Sequence, residues 1–171
     1  MKTTLDMINR MQTDGVIEKY AIGGAVGVIF YVEAFYTEDL YVFVVLPTAP
    51  GSSLLSLSPI HEYLTEQGCK VDGERIVIGD WPVRFLLLQG TLEQDALDEA
   101  IETDYEGILT HVLSAEHLVA IALNTGRAKG YAMVAMFLDQ DAVSLEKLNS
   151  VLLRHGLLPK WESFKSKFAE E

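Results

Sequence analysis

The stretch of sequence that decides the fold is AIGGAVGVIFYVEAFYTEDLYVFVVL, residues 21–46. It contains a double glycine, Gly23-Gly24, then an apolar segment, then Asp39 and, two residues later, Tyr41. The run DLYVFVVL is almost entirely β-branched, aliphatic and aromatic, which predicts a central strand buried on both faces. KYAIGG predicts a short strand that enters a glycine turn. The apolar segment between them predicts a buried helix, since a helix there allows the second strand to lie beside the first.

The rest of the chain predicts a mixed α/β half followed by a helical half. Glycine turns punctuate the α/β half after residue 68, at Asp72-Gly73 and Gly79-Asp80. Two strands are expected around those turns, then a helix at TLEQDALDEAIE and a last strand at GILTHVLS. We predict a mixed sheet of about four to six strands flanked by helices. Residues 1–112 form its core, and residues 113–171 form a helical segment packed on it within one structural domain.

The composition is that of a soluble globular protein. Hydrophobic residues make up 49% of the 171 residues and charged residues 22%, and the formal net charge is −12. The sequence has no basic stripe, so strong unaided nucleic-acid binding is not expected. The single cysteine, Cys69, allows no disulfide framework, and the four histidines share no metal-ligand spacing. No signal peptide or membrane span is evident, and a cytoplasmic location is expected.

The opening stretch has the form of a metal-dependent phosphate site. A Gly-Gly turn lets the backbone approach a ligand closely, and the helix N-terminus behind it favours phosphate. Two acids at positions i and i+2 of the next strand would point to one face and hold Mg²⁺ against a nucleotide. Three simpler explanations stay open: Gly23-Gly24 forms only a tight turn, Asp39 opens the strand, and Tyr41 is a core aromatic residue.

Three segments carry a resemblance to a known family: YAIGGAVG, TEDLYVFV, and VLSAEHLVAIALNTGRAKGYAMVAMFL. In this order and spacing they resemble the nucleotidyltransferase superfamily, in the minimal branch that includes AbiEii-type toxin–antitoxin proteins. The matches extend over most of the chain. The resemblance implies a nucleotidyltransferase-like α/β fold, a nucleoside triphosphate and Mg²⁺ as substrate and cofactor, and an RNA end or a protein hydroxyl as acceptor.

The departures from the family pattern concern its chemistry. Tyr41 stands in place of the second metal-binding acid, and Arg84 lies in the strand where the third is expected. The late lysine of the family is Ala122 here, and its Lys-Asp pair is Lys129-Gly130. By this count one of three metal-binding acids, Asp39, remains. The nearest acidic substitutes are Glu33, Glu38 and Asp80.

The resemblance assigns roles to the remaining residues. Asp39 would hold the metal, Gly23 and Gly24 would contact phosphate, and the cations Arg84, Arg127 and Lys129 would offset phosphate charge. The predicted function is a divergent, nucleotide-binding protein in which Mg²⁺-dependent nucleotidyl transfer is weak or lost. The alternative is a non-enzymatic protein that keeps the fold and binds itself or a partner protein. Its predicted contact surface is apolar: Leu152, Leu153, Leu157, Leu158, Trp161 and Phe164.

Overall fold

The computed structural model describes residues 1–33, 36–48 and 55–169. Over these residues it contains seven strands and eight helices. The strands are β1 (Lys19–Gly23), β2 (Leu40–Val45), β3 (Lys70–Asp72), β4 (Arg75–Ile78), β5 (Trp81–Leu87), β6 (Ile101–Tyr105) and β7 (Ile108–Val112). The helices are α1 (Lys2–Thr13), α2 (Gly24–Ile29), α3 (Ser58–Glu66), α4 (Thr91–Asp98), α5 (Ala115–Thr125), α6 (Ala128–Asp139), α7 (Leu145–Arg154) and α8 (Leu158–Ala169).

The strands form one mixed sheet in the order β3-β4-β5-β2-β1-β7-β6. Strands β1 and β2 are antiparallel, while β2 pairs in parallel with β5 and β1 in parallel with β7. The hairpins β3-β4-β5 and β6-β7 extend the two sides of the sheet. The central position of β2 explains its apolar sequence, because a strand with neighbours on both sides and helices on both faces has little access to water.

Each face of the sheet has its own hydrophobic core. On one face the apolar stripe of α1 (Leu5, Ile8 and Met11) and the buried residues of α3 pack against alternate residues of β2. On the other face Phe43 packs with α4 and with the helices from α5 onward. Phe43 therefore marks the face of β2 that lies under the C-terminal helices.

The strand–Gly-Gly–helix–strand unit predicted at residues 19–46 is present, with a shorter helix. Helix α2 has six residues and ends at Ile29, whereas the prediction continued it to Phe35. Residues 34–35 lie outside the described part of the chain. The turn-rich segment PTAPGSSL, residues 47–54, is predicted to be a loop from its Pro, Gly and Ser content, and its residues 49–54 also lie outside the described part, as do the last two residues of the predicted helical C-terminal segment. A strand also follows where helix was predicted: α4 ends at Asp98 and β6 begins at Ile101.

The segment around the two predicted glycine turns forms three strands. Gly73 and Gly79, with φ of 62° each, connect β3 to β4 and β4 to β5. The prediction recognised both turns but counted two strands, because β3 is only three residues long and fully exposed. The sheet therefore exceeds the predicted four to six strands.

The predicted apolar contact surface of the C-terminal half lies mostly in the core. Four of its six residues are at most 7% exposed, and Leu153 is 65% exposed. The buried members are Leu152, Leu157, Trp161 and Phe164. They are buried because α8 packs against α5 and α7. The apolar character of this half is explained by internal packing.

Candidate functional site

The predicted site residues Asp39, Tyr41 and Arg84 lie together on one face of the sheet. In the parallel pairing of β2 with β5, Tyr41 is the partner of Arg84 and Phe43 is the partner of Leu86. Side chains two residues apart on a strand point to the same face. Asp39, immediately before β2, thus precedes Tyr41 on the face that lies under the C-terminal helices.

Two arginines hold the carboxylate of Asp39. Arg75 Nη1 donates to Oδ1 over 3.1 Å, and Arg84 Nε donates to Oδ2 over 3.0 Å. Arg84 Nη1 also donates to Glu74 Oε2 over 2.9 Å. The hydrogen bond to Asp39 is the main reason why the pKa of Arg84 is raised. Both oxygens of Asp39 are therefore engaged in ion pairs. Because its side chain is only 14% exposed, this network is partly desolvated.

The double glycine makes room for aromatic side chains. A Cβ on Gly24 would lie 2.9 Å from Tyr41 Cδ2, and a Cβ on Gly23 would lie 2.6 Å from Phe43 Cε2. Gly24 also has a φ of 58°, which favours glycine. Of the alternatives left open by the sequence, tight packing at the turn is thus observed. Helix α2, which begins at Gly24 directly behind the turn, has six residues.

A cavity of about 230 Å³ lies between this face of the sheet and helices α5 and α6. Four of the predicted site residues line it: Gly24, Tyr41, Arg127 and Lys129. Its other lining residues are mainly apolar, among them Phe43, Leu86, Leu113, Leu118, Ile121 and Met133. Gly23, Asp39 and Arg84 do not line the cavity, although Arg84 is the strand partner of Tyr41, which does.

The α5–α6 turn brings the basic residues to this cavity. Ser114 Oγ accepts the hydrogen bond that caps the start of α5, and Gly126, with a φ of 72°, ends the helix. Arg127 then occupies the N-cap position of α6, without a capping hydrogen bond from its side chain. Gly130 allows the two helices to pack closely, because a Cβ there would lie 3.3 Å from Ala122 Cβ.

The donor set does not fit the Mg²⁺ site implied by the resemblance. Magnesium needs several oxygen ligands and binds to proteins through carboxylates. Asp39 is paired with two guanidinium groups, Tyr41 offers a phenol and no carboxylate, and its strand partner Arg84 adds a positive charge. Within residues 1–33, 36–48 and 55–169, no three His, Cys, Asp or Glu side chains are grouped to hold a metal ion. The proposed substitutes therefore do not complete a site.

Two features of the structure were not predicted from the sequence. Arg75 was not predicted as a partner of Asp39, because the contact depends on the arrangement of three strands. His117 is 1% exposed on α5, with Nδ1 2.8 Å from Ser114 Oγ and with no hydrogen-bond partner for Nε2 among the described residues. Burial lowers the pKa of His117, and the nearby carboxylate of Glu99 opposes that shift.

The fold is that of the nucleotidyltransferases, which confirms the predicted fold class. The structure is similar to the crystal structure of the aminoglycoside nucleotidyltransferase ANT(2″)-Ia in complex with adenylyl-2″-tobramycin, with a TM-score of 0.55 and 15% identity, over 97% of this chain and 99% of that one. It is also similar to the solution structure of the antibiotic-resistance factor ANT(2″)-Ia, with a TM-score of 0.54 and 13% identity, over 99% and 98% of the two chains.

The sequence comparisons give no closer relation. No protein-family model matches the sequence, and no curated protein matches it. The structural similarity, at 13–15% identity, establishes the fold. Among the described residues, none of the helices combines the length and the apolar character needed to cross a membrane.

Proposed function

We propose that this protein is a nucleotide-binding member of the nucleotidyltransferase fold that binds its ligand without Mg²⁺ and has lost two-metal nucleotidyl transfer. The observation that carries the proposal is the state of Asp39, whose two carboxylate oxygens are paired with Arg75 and Arg84. A metal ion would have to displace both guanidinium groups, and Tyr41 and Arg84 would leave it without the further carboxylates that bridge two ions.

The cavity supports a small aromatic anion as ligand. Its apolar walls suit a base, and Arg127 and Lys129 place positive charge beside them in a chain of net charge −12. A volume of about 230 Å³ lies below the ~300–1,000 Å³ common for ligand pockets, so a mononucleotide is favoured over a triphosphate with a large acceptor. The similar ANT(2″)-Ia structure contains an adenylyl compound, which makes adenine nucleotides the first to test.

Calorimetry tests the proposal. AMP, ATP, GTP, CTP and UTP are titrated into the protein in EDTA and again in Mg²⁺, and release of pyrophosphate is followed in parallel. We expect binding of at least one nucleotide, equal in the two buffers, with no pyrophosphate release. Binding that requires Mg²⁺ and is lost in Asp39→Ala would contradict the proposal and restore Asp39 as a metal ligand. No binding of any nucleotide would also contradict it.

The alternative, a protein whose function is self-association or partner binding, is not favoured by the surface first predicted for it. Most of that surface is interior, and its exposed member Leu153 is one apolar side chain, which is ordinary on a protein surface. Light scattering combined with the calorimetry separates the two proposals. A stable oligomer that binds no nucleotide would favour the interaction protein.

A further inference from the structure

We propose that Arg84 takes over the charge-neutralising role of the absent metal ligands and binds the phosphate of the nucleotide directly, with Asp39 and Arg75 positioning it. This inference rests on the proposed nucleotide binding and adds to it a specific phosphate-binding residue. Its starting point is the mismatch at the metal position: the residue in the place of the third acid is an arginine, and it is hydrogen-bonded to the one acid that remains.

The strand register places Arg84 next to the cavity lining, although Arg84 is not itself a lining residue. Its partner across the β2–β5 pairing is Tyr41, and Leu86, two residues further along the same face of β5, pairs with Phe43. Tyr41, Phe43 and Leu86 all line the cavity. A ligand whose base lies among these side chains would have to extend its phosphate past Tyr41 to reach the side chain of Arg84.

The guanidinium of Arg84 retains hydrogen-bonding capacity for an anion. An arginine carries five N–H donors, and two of those of Arg84 are used, one by Asp39 and one by Glu74. Among the residues that the structure describes, no group accepts a hydrogen bond from the other donors, which leaves them for a ligand. The side chain is 31% exposed, so it is accessible to a ligand while anchored by its two partners. Anchoring matters because a held planar guanidinium loses little freedom when it binds a phosphate.

The acids in contact with Arg84 neutralise its positive charge only in part. The single charge of Asp39 is shared with Arg75, and Glu74, the other acid in contact with Arg84, is 86% exposed and therefore strongly screened by water. Arg127 and Lys129 add two cations at the cavity. Together these side chains can stabilise a phosphate without a divalent cation.

The test compares AMP with adenosine in EDTA, by calorimetry, for the wild type and for Arg84→Ala, Arg84→Lys and Asp39→Asn. Arg84→Ala should weaken AMP binding by about ten- to a hundredfold, the loss of a charged hydrogen-bond donor, and should leave adenosine binding within about twofold. Arg84→Lys should fall between wild type and Arg84→Ala, because it keeps the charge and loses the planar fork. Arg10→Ala, on the exposed surface of α1 and outside the cavity lining, is the matched control.

The order of the variants separates the phosphate-binding role from a metal-binding one. We expect a larger loss of AMP affinity in Arg84→Ala than in Asp39→Asn, both in EDTA and in a parallel titration in Mg²⁺, whereas a metal ligand at Asp39 predicts binding that requires Mg²⁺ and the reverse order there. AMP binding that is unchanged in both Arg84 variants would overturn this inference and leave the proposed function standing. Failure of the wild type to bind either AMP or adenosine would overturn both. If Arg84→Ala does not fold, Arg84→Lys, whose expected loss has the same direction, decides the question.

Discussion

Replacement of Asp39 by asparagine tests whether its carboxylate is a structural counter-ion. The substitution keeps the size of the side chain and removes its charge, so the ion pairs with Arg75 and Arg84 are lost while one oxygen remains as an acceptor. If the carboxylate holds the fold in this way, its replacement should lower the free energy of unfolding. If the carboxylate serves only to bind a metal, its replacement should leave the free energy of unfolding unchanged.

The structure bounds the size of the effect. Exposed ion pairs contribute about 0.2–1 kcal/mol, and breaking a buried pair costs about 3–5 kcal/mol. Asp39 is 14% exposed and its two partners 36% and 31%, which places the network between these cases. We expect the free energy of unfolding to fall by about 2 kcal/mol, equivalent to about 4–8 °C in Tm for a domain of this size.

Urea denaturation at neutral pH in EDTA provides the measurement, with Glu74→Gln as the matched control. Glu74 also pairs with Arg84 but is 86% exposed, so its variant should remain within about 0.5 kcal/mol of wild type. A double-mutant cycle of Asp39→Asn with Arg84→Ala should give a coupling energy above about 0.5 kcal/mol. Asp39→Asn with wild-type or higher stability would refute the counter-ion role.

Three further predictions concern the site and the core. Tyr41→Asp alone should not bind Mg²⁺, because the new acid lies beside Arg84. The double variant Tyr41→Asp with Arg84→Asp should bind Mg²⁺ and be stabilised by about 1.4 kcal/mol at an Mg²⁺ concentration ten times the Kd. Equal thermal shifts on addition of Mg²⁺ to the two variants would contradict the assigned geometry. Gly24→Ala should lose about 1–3 kcal/mol more in urea denaturation than Gly15→Ala, because both glycines have positive φ but only Gly24 would clash with Tyr41; equal losses would show that the clash is relieved. Burial lowers the pKa of His117 below its unfolded value of 6.5, so the unfolded chain binds the proton first and stability should fall as the pH drops below about 6.5, by at most about 1.4 kcal/mol per pH unit. His117→Gln should remove that part of the pH dependence, and an unchanged urea-midpoint profile from pH 7.5 to 5 would contradict it.

The parts of the fold that depend on local sequence were predicted correctly. The order of β1, the glycine turn, α2 and β2 follows from a β-rich run, a Gly-Gly pair and the apolar segment between them. Strand β6 was missed for a physical reason. It is an edge strand with mostly exposed or half-buried residues, so no apolar alternation distinguishes it from the end of the preceding helix.

The site was predicted only in outline, because its decisive contacts join distant parts of the chain. The residues that line the cavity include Tyr41 and Arg127, which were predicted from the family pattern. The partner of Asp39 that was missed, Arg75, is 36 residues away in sequence. It reaches Asp39 only through the register of β4 on β5 and of β5 on β2. Side-chain charge alone therefore gave no signal for this pair.

The residues at which the sequence departs from the nucleotidyltransferase pattern that it resembles make close contacts in the structure. Two of them are steric. The ring of Tyr41 lies where a Cβ on Gly24 would clash, and Gly130, in place of the acid of the family's pair, packs against Ala122, which replaces the family's lysine. A side chain at position 130 would meet the backbone and side chain of Ala122 on α5.

A third contact is electrostatic. Arg84 pairs with Asp39, so the two residues offset each other's charge. Without Arg75 and Arg84, Asp39 would be a partly buried carboxylate with no cation beside it, which is costly in free energy. The network instead supplies that cation from the protein itself.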